Sequence, residues 1–191
     1  MSPTADTGAG PRERLLAGAI EHVSQHGVGE ISLRQLAAAL GTSHRMLLYH
    51  FGSREALLIE VIRTVEEQQR AALAQILEEE ADEPPAEIMR RMWARVADPA
   101  LWPNERLFFE VYAQALQGSP HALPLLDGIV DAWVEPLAAL VAPGRPEAEA
   151  RAEARLGVAV VRGLLLDLLA TGDREAVDAA MERYIAAVAP L

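Results

Sequence analysis

Seven side chains between Ser43 and Arg54 have the types that read polar surfaces: Ser43, His44, Arg45, Met46, Tyr49, His50 and Arg54. Arginine presents a planar fork of donors that can grip a pair of acceptors such as O6 and N7 of guanine, and Tyr or His can reach phosphate oxygens. Leu47 and Phe51 are four residues apart, so on a helix they share an inner face, with Leu48 expected beside them. The His, Arg, Met and Tyr side chains are then left outside. Such a set is poor design for an inert surface and good design for a nucleic-acid groove.

These residues need a helix held at a fixed angle. The spacing predicts one that starts at a Ser43 cap and ends near Phe51, where Gly52 breaks it. A helix before it starts at Ser32, because Ser32-Leu-Arg-Gln35 is a capping box, with Ile31 and Leu36 placed for a hydrophobic staple. Leu33, Leu36, Ala37 and Leu40 form its buried stripe, and Gly41 ends it. Two short helices joined at Gly41-Thr42 make a helix-turn-helix unit. In front lies an amphipathic helix from Pro11 to His26 with Leu15, Leu16, Ala19, Ile20 and Val23 on one face, stopped by Gly27 and Gly29. Behind, Ser53 caps a long fourth helix reaching about Glu80. Further helices are expected at Ala86–Ala97, Asn104–Gln117, His121–Leu140 (bent by Pro136), Pro146–Ala170 and Asp173–Val188. No segment has the alternation of a strand, and the fold class is all-α.

The 191-residue chain carries a net charge of −11, which at first argues against nucleic acid. The charge is unevenly spread. Gly10 to Arg63 holds six arginines against five glutamates, whereas Thr64 onward holds eleven arginines against twenty-two acids. The acid thus lies outside the candidate reading surface, where it limits non-specific DNA binding. The chain has no cysteine, which excludes disulfides and thiolate chemistry. No apolar run reaches the roughly 18 residues of a membrane span. Residues 1–9 read as a frayed tail, not a secretory signal, and a cytoplasmic location is expected. His22 and His26, at i and i+4, form the one metal-like spacing among five histidines, and two ligands without a third do not make a site. No cofactor and no metal is implied. A helical metal-dependent enzyme, or an adaptor without DNA binding, is the alternative.

The string SLRQLAAALGTSHRMLLYHFGSREALL, from Ser32 to Leu58, resembles the TetR family of bacterial regulators. The features that carry the resemblance are the small-residue second helix, the Gly-x-Ser turn, the aromatic, His and Phe ending and the Ser-Arg-Glu start of the fourth helix. The resemblance implies a homodimer of about nine helices per chain. An N-terminal DNA-binding domain at 10–70, with its helix-turn-helix at 32–51, would be joined by a long helix to a ligand-binding and dimerisation domain at 71–191. It implies a double-stranded DNA operator and a small apolar or aromatic effector as partners. Carried over residue by residue, His44, Arg45 and Met46 occupy base-reading positions, Tyr49 and His50 touch phosphate or bases, and Arg54 touches phosphate. Ser32, Arg34, Thr42 and Ser43 complete the expected contact set. The chain departs from the family at Leu48, where the family commonly has tyrosine; Tyr49 comes one position later and would supply the contact from a shifted angle.

Aromatics gather in the middle of the chain. Met89, Met92, Trp93, Trp102, Phe108, Tyr112 and Trp133 either fill a core or line an adaptable ligand pocket. Glu110, Asp127 and Asp131 are read as solvated acids. Leu156 to Ala170 is apolar nearly all round. With Val177, Met181, Tyr184, Ile185 and Val188 it suggests a four-helix dimer seam, Gly157 and Gly163 allowing close approach, or else burial within one subunit.

Overall fold

The computed structural model describes residues 10–26, 32–79, 83–141 and 144–188. The expected tail at 1–9, the stop at Gly27 and Gly29, the staple residue Ile31 and the helix end at Glu80 lie outside them. Nine α-helices run through the described residues, and no strand. They are α1 Pro11–His26, α2 Leu33–Ala39, α3 His44–Phe51, α4 Arg54–Glu79, α5 Pro85–Val96, α6 Trp102–Leu116, α7 Asp131–Val141, α8 Glu147–Thr171 and α9 Arg174–Val188. Short 3-10 turns at Pro99–Leu101 and Leu123–Leu126 precede α6 and α7.

Local chemistry accounts for the first four helices. The Ser32 side chain accepts from the Gln35 backbone, and Gln35 Oε1 accepts from the Ser32 backbone at 2.8 Å, closing the capping box. The turn to α3 needs a left-handed residue, which Gly41 supplies at φ +64°. Ser43 Oγ accepts from Met46 N–H at 3.2 Å, and Ser53 Oγ from Ala56 N–H at 3.0 Å, so both following helices are capped as the sequence predicts.

The expected helix from His121 to Leu140 is not one helix. Residues 123–126 form a 3-10 turn, Gly128 takes φ +71°, and α7 begins only at Asp131. Leu-Pro-Leu-Leu satisfies apolar periodicity, but Pro124 lacks a donor and Gly128 turns the backbone out of the helical region. Pro136 does lie inside α7.

Three apolar clusters hold the helices. The first joins α1 to α4 (Ala19, Val23, Leu36, Leu47, Phe51, Leu57) with α6 and the turn after it (Leu107, Val111, Ala115, Leu125). The second packs Trp93 and Ala97 against Leu165, Leu168, Val177, Met181 and Ile185. The third seats Val134 and Ala138 of α7 on Ala154 and Val158 of α8. The carbonyl of Pro124 accepts from Arg63 Nη2 at 2.5 Å, tying the middle of α4 to the turn before α7.

Candidate DNA-contacting surface and ligand cavity

Eight residues suffice for α3 because its inner side is fixed at two points. Leu47 is fully buried and Phe51 is 6% exposed, as their spacing predicts. Leu48 does not join them: it is 38% exposed. At about 100° per residue it is turned away from a face that Leu47 and Phe51 already fill. Met46 at 41% and Tyr49 at 79% are also outside, and Arg45 is exposed. His44 and His50 are half-buried, and the ring of His50 meets those of Tyr49 and Phe51 edge-on. The His50 Nε2 atom is buried without a hydrogen-bond partner. Ser32, Arg34 and Ser43 are exposed, while Thr42 and Arg54 are half-buried. The outer side of α3 is therefore a continuous strip of Arg45, Met46, Leu48 and Tyr49, with a capped helix start on either side.

One residue of this surface escapes the sequence reading. The Arg12 guanidinium, from the first turn of α1, pairs with Glu60 of α4, donates to the His50 carbonyl at 3.3 Å and lies 5.0 Å over the Phe51 ring. It clamps the end of α3 between α1 and α4. No local pattern announces it, since its partners are 38 to 48 residues away.

The second feature is internal. Helices α4 to α9 surround a cavity of about 410 Å³, inside the range of small-molecule sites. Met89, Met92, Trp93, Phe108 and Trp133 line it, as the aromatic clustering suggests. Trp102 and Tyr112 stand off its wall: Trp102 Nε1 donates to the Ala97 carbonyl at 3.2 Å, and Tyr112 stacks on Phe108 at 5.3 Å. Glu110, Asp127 and Asp131 are exposed, in keeping with solvated acids.

Three carboxyls that the sequence does not single out line the cavity: Glu153, paired with Arg145, and Glu66 and Glu105. Glu66 of α4 accepts from Trp133 Nε1 at 2.6 Å. Glu105 of α6 is 7% exposed and forms no hydrogen bond or ion pair among the described residues. Burial raises the Glu66 pKa above the ordinary carboxylate value, against the Trp133 hydrogen bond and the charges of Arg162 and Arg70. Burial, and then the Glu66 charge, push Glu105 up to about 8, with Arg162 opposing. Arg162 itself donates to the Ile129 carbonyl at 3.0 Å and lies 5.2 Å over Phe108. In the sequence Glu105 is one acid among twenty-eight; only the packing of α6 on α4 marks it.

The expected seam residues are corrected in part. Val177, Met181 and Ile185 are at most 2% exposed and fill the second core cluster, facing inward. Gly157 lets the Tyr184 hydroxyl of the same chain approach, 3.2 Å from where a Cβ would stand. The outward faces are different: Leu156 at 53%, Leu166 at 52%, Ala159 and Gly163 on α8, and Ala176, Ala179, Ala180 and Ala187 on α9. The His22 and His26 rings stack at 4.6 Å, and among the described residues no three His, Asp or Glu side chains are grouped to hold a metal. No helix there is long and apolar enough to cross a membrane.

A capped helix-turn-helix head on a cavity-bearing helical body is an architecture of transcriptional regulators, and the relatives are regulators of that kind. Residues 15–61 match the model of the bacterial regulatory proteins of the tetR family. The HTH-type transcriptional regulator RutR of Escherichia coli K12 is 30% identical over 131 residues, 69% of this chain and 60% of that protein. The chain thus spans 60% of the length of the RutR relatives it matches. A transcriptional regulator from Rhodococcus superimposes with a TM-score of 0.75 at 22% identity, over 94% of this chain and 96% of its own. A regulator from Saccharomonospora viridis, solved in complex with choline, does so at 0.62 and 22%, over 92% and 93% of the two chains. The head of this chain, residues 15–61, is a DNA-binding domain of the TetR family of bacterial regulatory proteins.

Proposed function

We propose that the chain is a homodimeric, sequence-specific DNA-binding repressor, released from a palindromic operator by a small molecule held in the 410 Å³ cavity. The exposed side of α3 is the observation that carries this reading. Arg45, Met46 and Tyr49 stand outward from a helix that a major groove about 12 Å wide admits. Free N–H groups at the starts of α2 and α4, beside Ser32 and Arg54, favour phosphate. Ser32, Arg34, Thr42, Ser43, His44 and His50 fill out the contact surface.

The unpartnered small-residue faces of α8 and α9 support pairing with a second copy, which would set two α3 helices about 34–36 Å apart on adjacent major grooves. Helix α6 supports the coupling. Glu105, Phe108 and Phe109 line the cavity, while Leu107, Val111 and Ala115 of the same helix sit in the core shared with the head. A ligand that shifts α6 changes how the heads are spaced, provided it binds the released form more tightly. A DNA-binding role also supports a cytoplasmic location.

Selection of bound fragments from a random DNA pool tests the reading. The expected product is a two-fold symmetric site with half-sites about one helical turn apart. Recovery of no enriched sequence would leave a helical adaptor in its place.

A further inference from the structure

The cavity walls carry an imbalance of charge. Its charged lining residues are Glu66, Glu105, Arg145, Glu153 and Arg162. Arg145 and Glu153 pair with each other at 3.5 Å, while Glu66 and Glu105 share the charge of Arg162 and Glu66 also feels Arg70. Glu66 has a fixed orientation, because Trp133 Nε1 holds Oε2. Glu105 has none: at 7% exposure it forms no hydrogen bond or ion pair among the described residues. Its carboxyl opens on the cavity, where a water or a ligand has to supply the partner that the protein does not. Beside it, Asn104 Oδ1 is buried and also lacks a partner, against a void of about 10 Å³ shared with Glu66 and Glu105. The rest of the wall is apolar and aromatic: Met89, Met92, Phe109 and Leu137 among others.

We infer that the effector is an apolar molecule bearing a single protonated amine, which docks between Glu66 and Glu105 while its body lies along the Met and aromatic wall. The inference rests on the cavity being the effector site. Glu66 feels the charges of both Arg162 and Arg70 and Glu105 only that of Arg162, so Glu105 is the acid that leaves room for one positive charge, not two. An ammonium gives donors to the unpartnered Glu105, and the body replaces water on the apolar wall. A neutral ligand can pair only with the protonated form of Glu105 and gains no charge-assisted bond, and an anion meets two acids. Without a cation, Glu105 stays protonated near neutral pH, because burial disfavours its charge and Glu66 from α4 adds repulsion, with Arg162 from α8 opposing. An ammonium reverses that balance, so its binding releases a proton.

Three probes of one skeleton separate charge from shape: 4-phenylbutylamine, 4-phenylbutanol and 4-phenylbutyric acid. Their binding to the full chain is followed by tryptophan fluorescence, since Trp93 and Trp133 line the cavity, and by calorimetry in buffers of different ionisation enthalpy. The amine should bind about tenfold or more tighter than the alcohol, the size of one charge-assisted hydrogen bond, and release a proton; the acid should bind weakest. Glu105→Gln and Glu66→Gln should each shrink the amine preference, and the double variant should abolish it. Glu105→Gln mimics the protonated side chain, so its fold is retained. Leu137→Trp, which fills the cavity, should remove amine binding and thereby exclude a surface site.

Equal binding of amine and alcohol overturns the inference, as does a preference that survives the double variant, and so does failure of the amine to bind. Release of operator DNA is read in the same samples. If amine and alcohol release DNA equally, the effector reading stands and the charge assignment falls. If the amine binds selectively without releasing DNA, the charge assignment stands and the effector reading falls.

Discussion

The head and the cavity solve opposite problems with polar groups. On α3 Arg45, Met46 and Tyr49 are exposed, His50 Nε2 alone being buried without a partner, and a serine caps one N–H at each helix start around them. In the cavity two carboxyls are withdrawn from water and one has no partner. A surface built for DNA can leave its donors and acceptors hydrated until the groove replaces water. A cavity cannot, so its buried groups hold protons or wait for a ligand. The contrast predicts that changes in the head act on binding with little effect on pH response, whereas changes at Glu105 act on pH response first.

The sharpest way to break that separation is to damage the core the two regions share. Leu47→Ala removes a fully buried side chain from the first cluster and should cost about 2–5 kcal/mol. Because that cluster includes α6, calorimetry should show one transition moving down as a unit. Two transitions, with only one shifted, would mean that head and body unfold independently.

Glu105 gives the next largest effect, and its sign is fixed by linkage. Its pKa rises from 4.5 to about 8 in the fold, so between these values the folded chain holds a proton that the unfolded chain has lost. Stability therefore falls as pH rises through that window, and is unaffected by this group below it. At about 1.36 kcal/mol per unit, the penalty near pH 8 is on the order of a few kcal/mol. Glu105→Gln should flatten this dependence and raise the melting temperature at pH 8 but not at pH 4. A wild-type melting temperature unchanged across pH 5 to 8 would contradict the placement of Glu105.

Arg45→Ala should leave thermal stability alone and cost roughly 1–3 kcal/mol at one base position, with specificity relaxed there. Unchanged operator preference in a competition assay would remove Arg45 from the reading set. The smallest expected effect is Ser43→Ala, which deletes the Met46 cap and should destabilise the chain by about 1 kcal/mol. Chemical denaturation measures it; a neutral result would mean that water satisfies the start of α3 equally well.

The head was legible because its signals are short-range. A capping box spans four residues, Gly41 marks the turn by its own conformational freedom, and Leu47 and Phe51 select the inner face of α3 by spacing alone. The family string from Ser32 to Leu58 is contiguous for the same reason. Spacing gave less at Leu48, where a single apolar residue between two faces could join either. It also failed from His121 to Leu140, where apolar periodicity concealed a 3-10 turn.

The cavity was legible only as a tendency. Met89, Met92, Trp93, Phe108 and Trp133 were recognised as a class of residue, and five of the seven expected residues line the wall. Trp102 and Tyr112 carry the same chemistry and do not, because a side chain's distance from a cavity is set by helices that arrive from elsewhere in the chain.

Composition, spacing and capping chemistry by themselves determined that this protein is all-helical and where its reading helix begins and ends. They also set which side chains of that helix are candidates for DNA, Leu48 excepted. Only the tertiary structure decided that Arg12 clamps the end of α3, that α8 and α9 turn small residues outward, and that Glu66 and Glu105 line one apolar cavity. Capping and helical periodicity act over three or four residues. The field at a buried carboxyl depends on every helix packed around it, and Glu66, Glu105 and Arg162 reach the same wall from α4, α6 and α8.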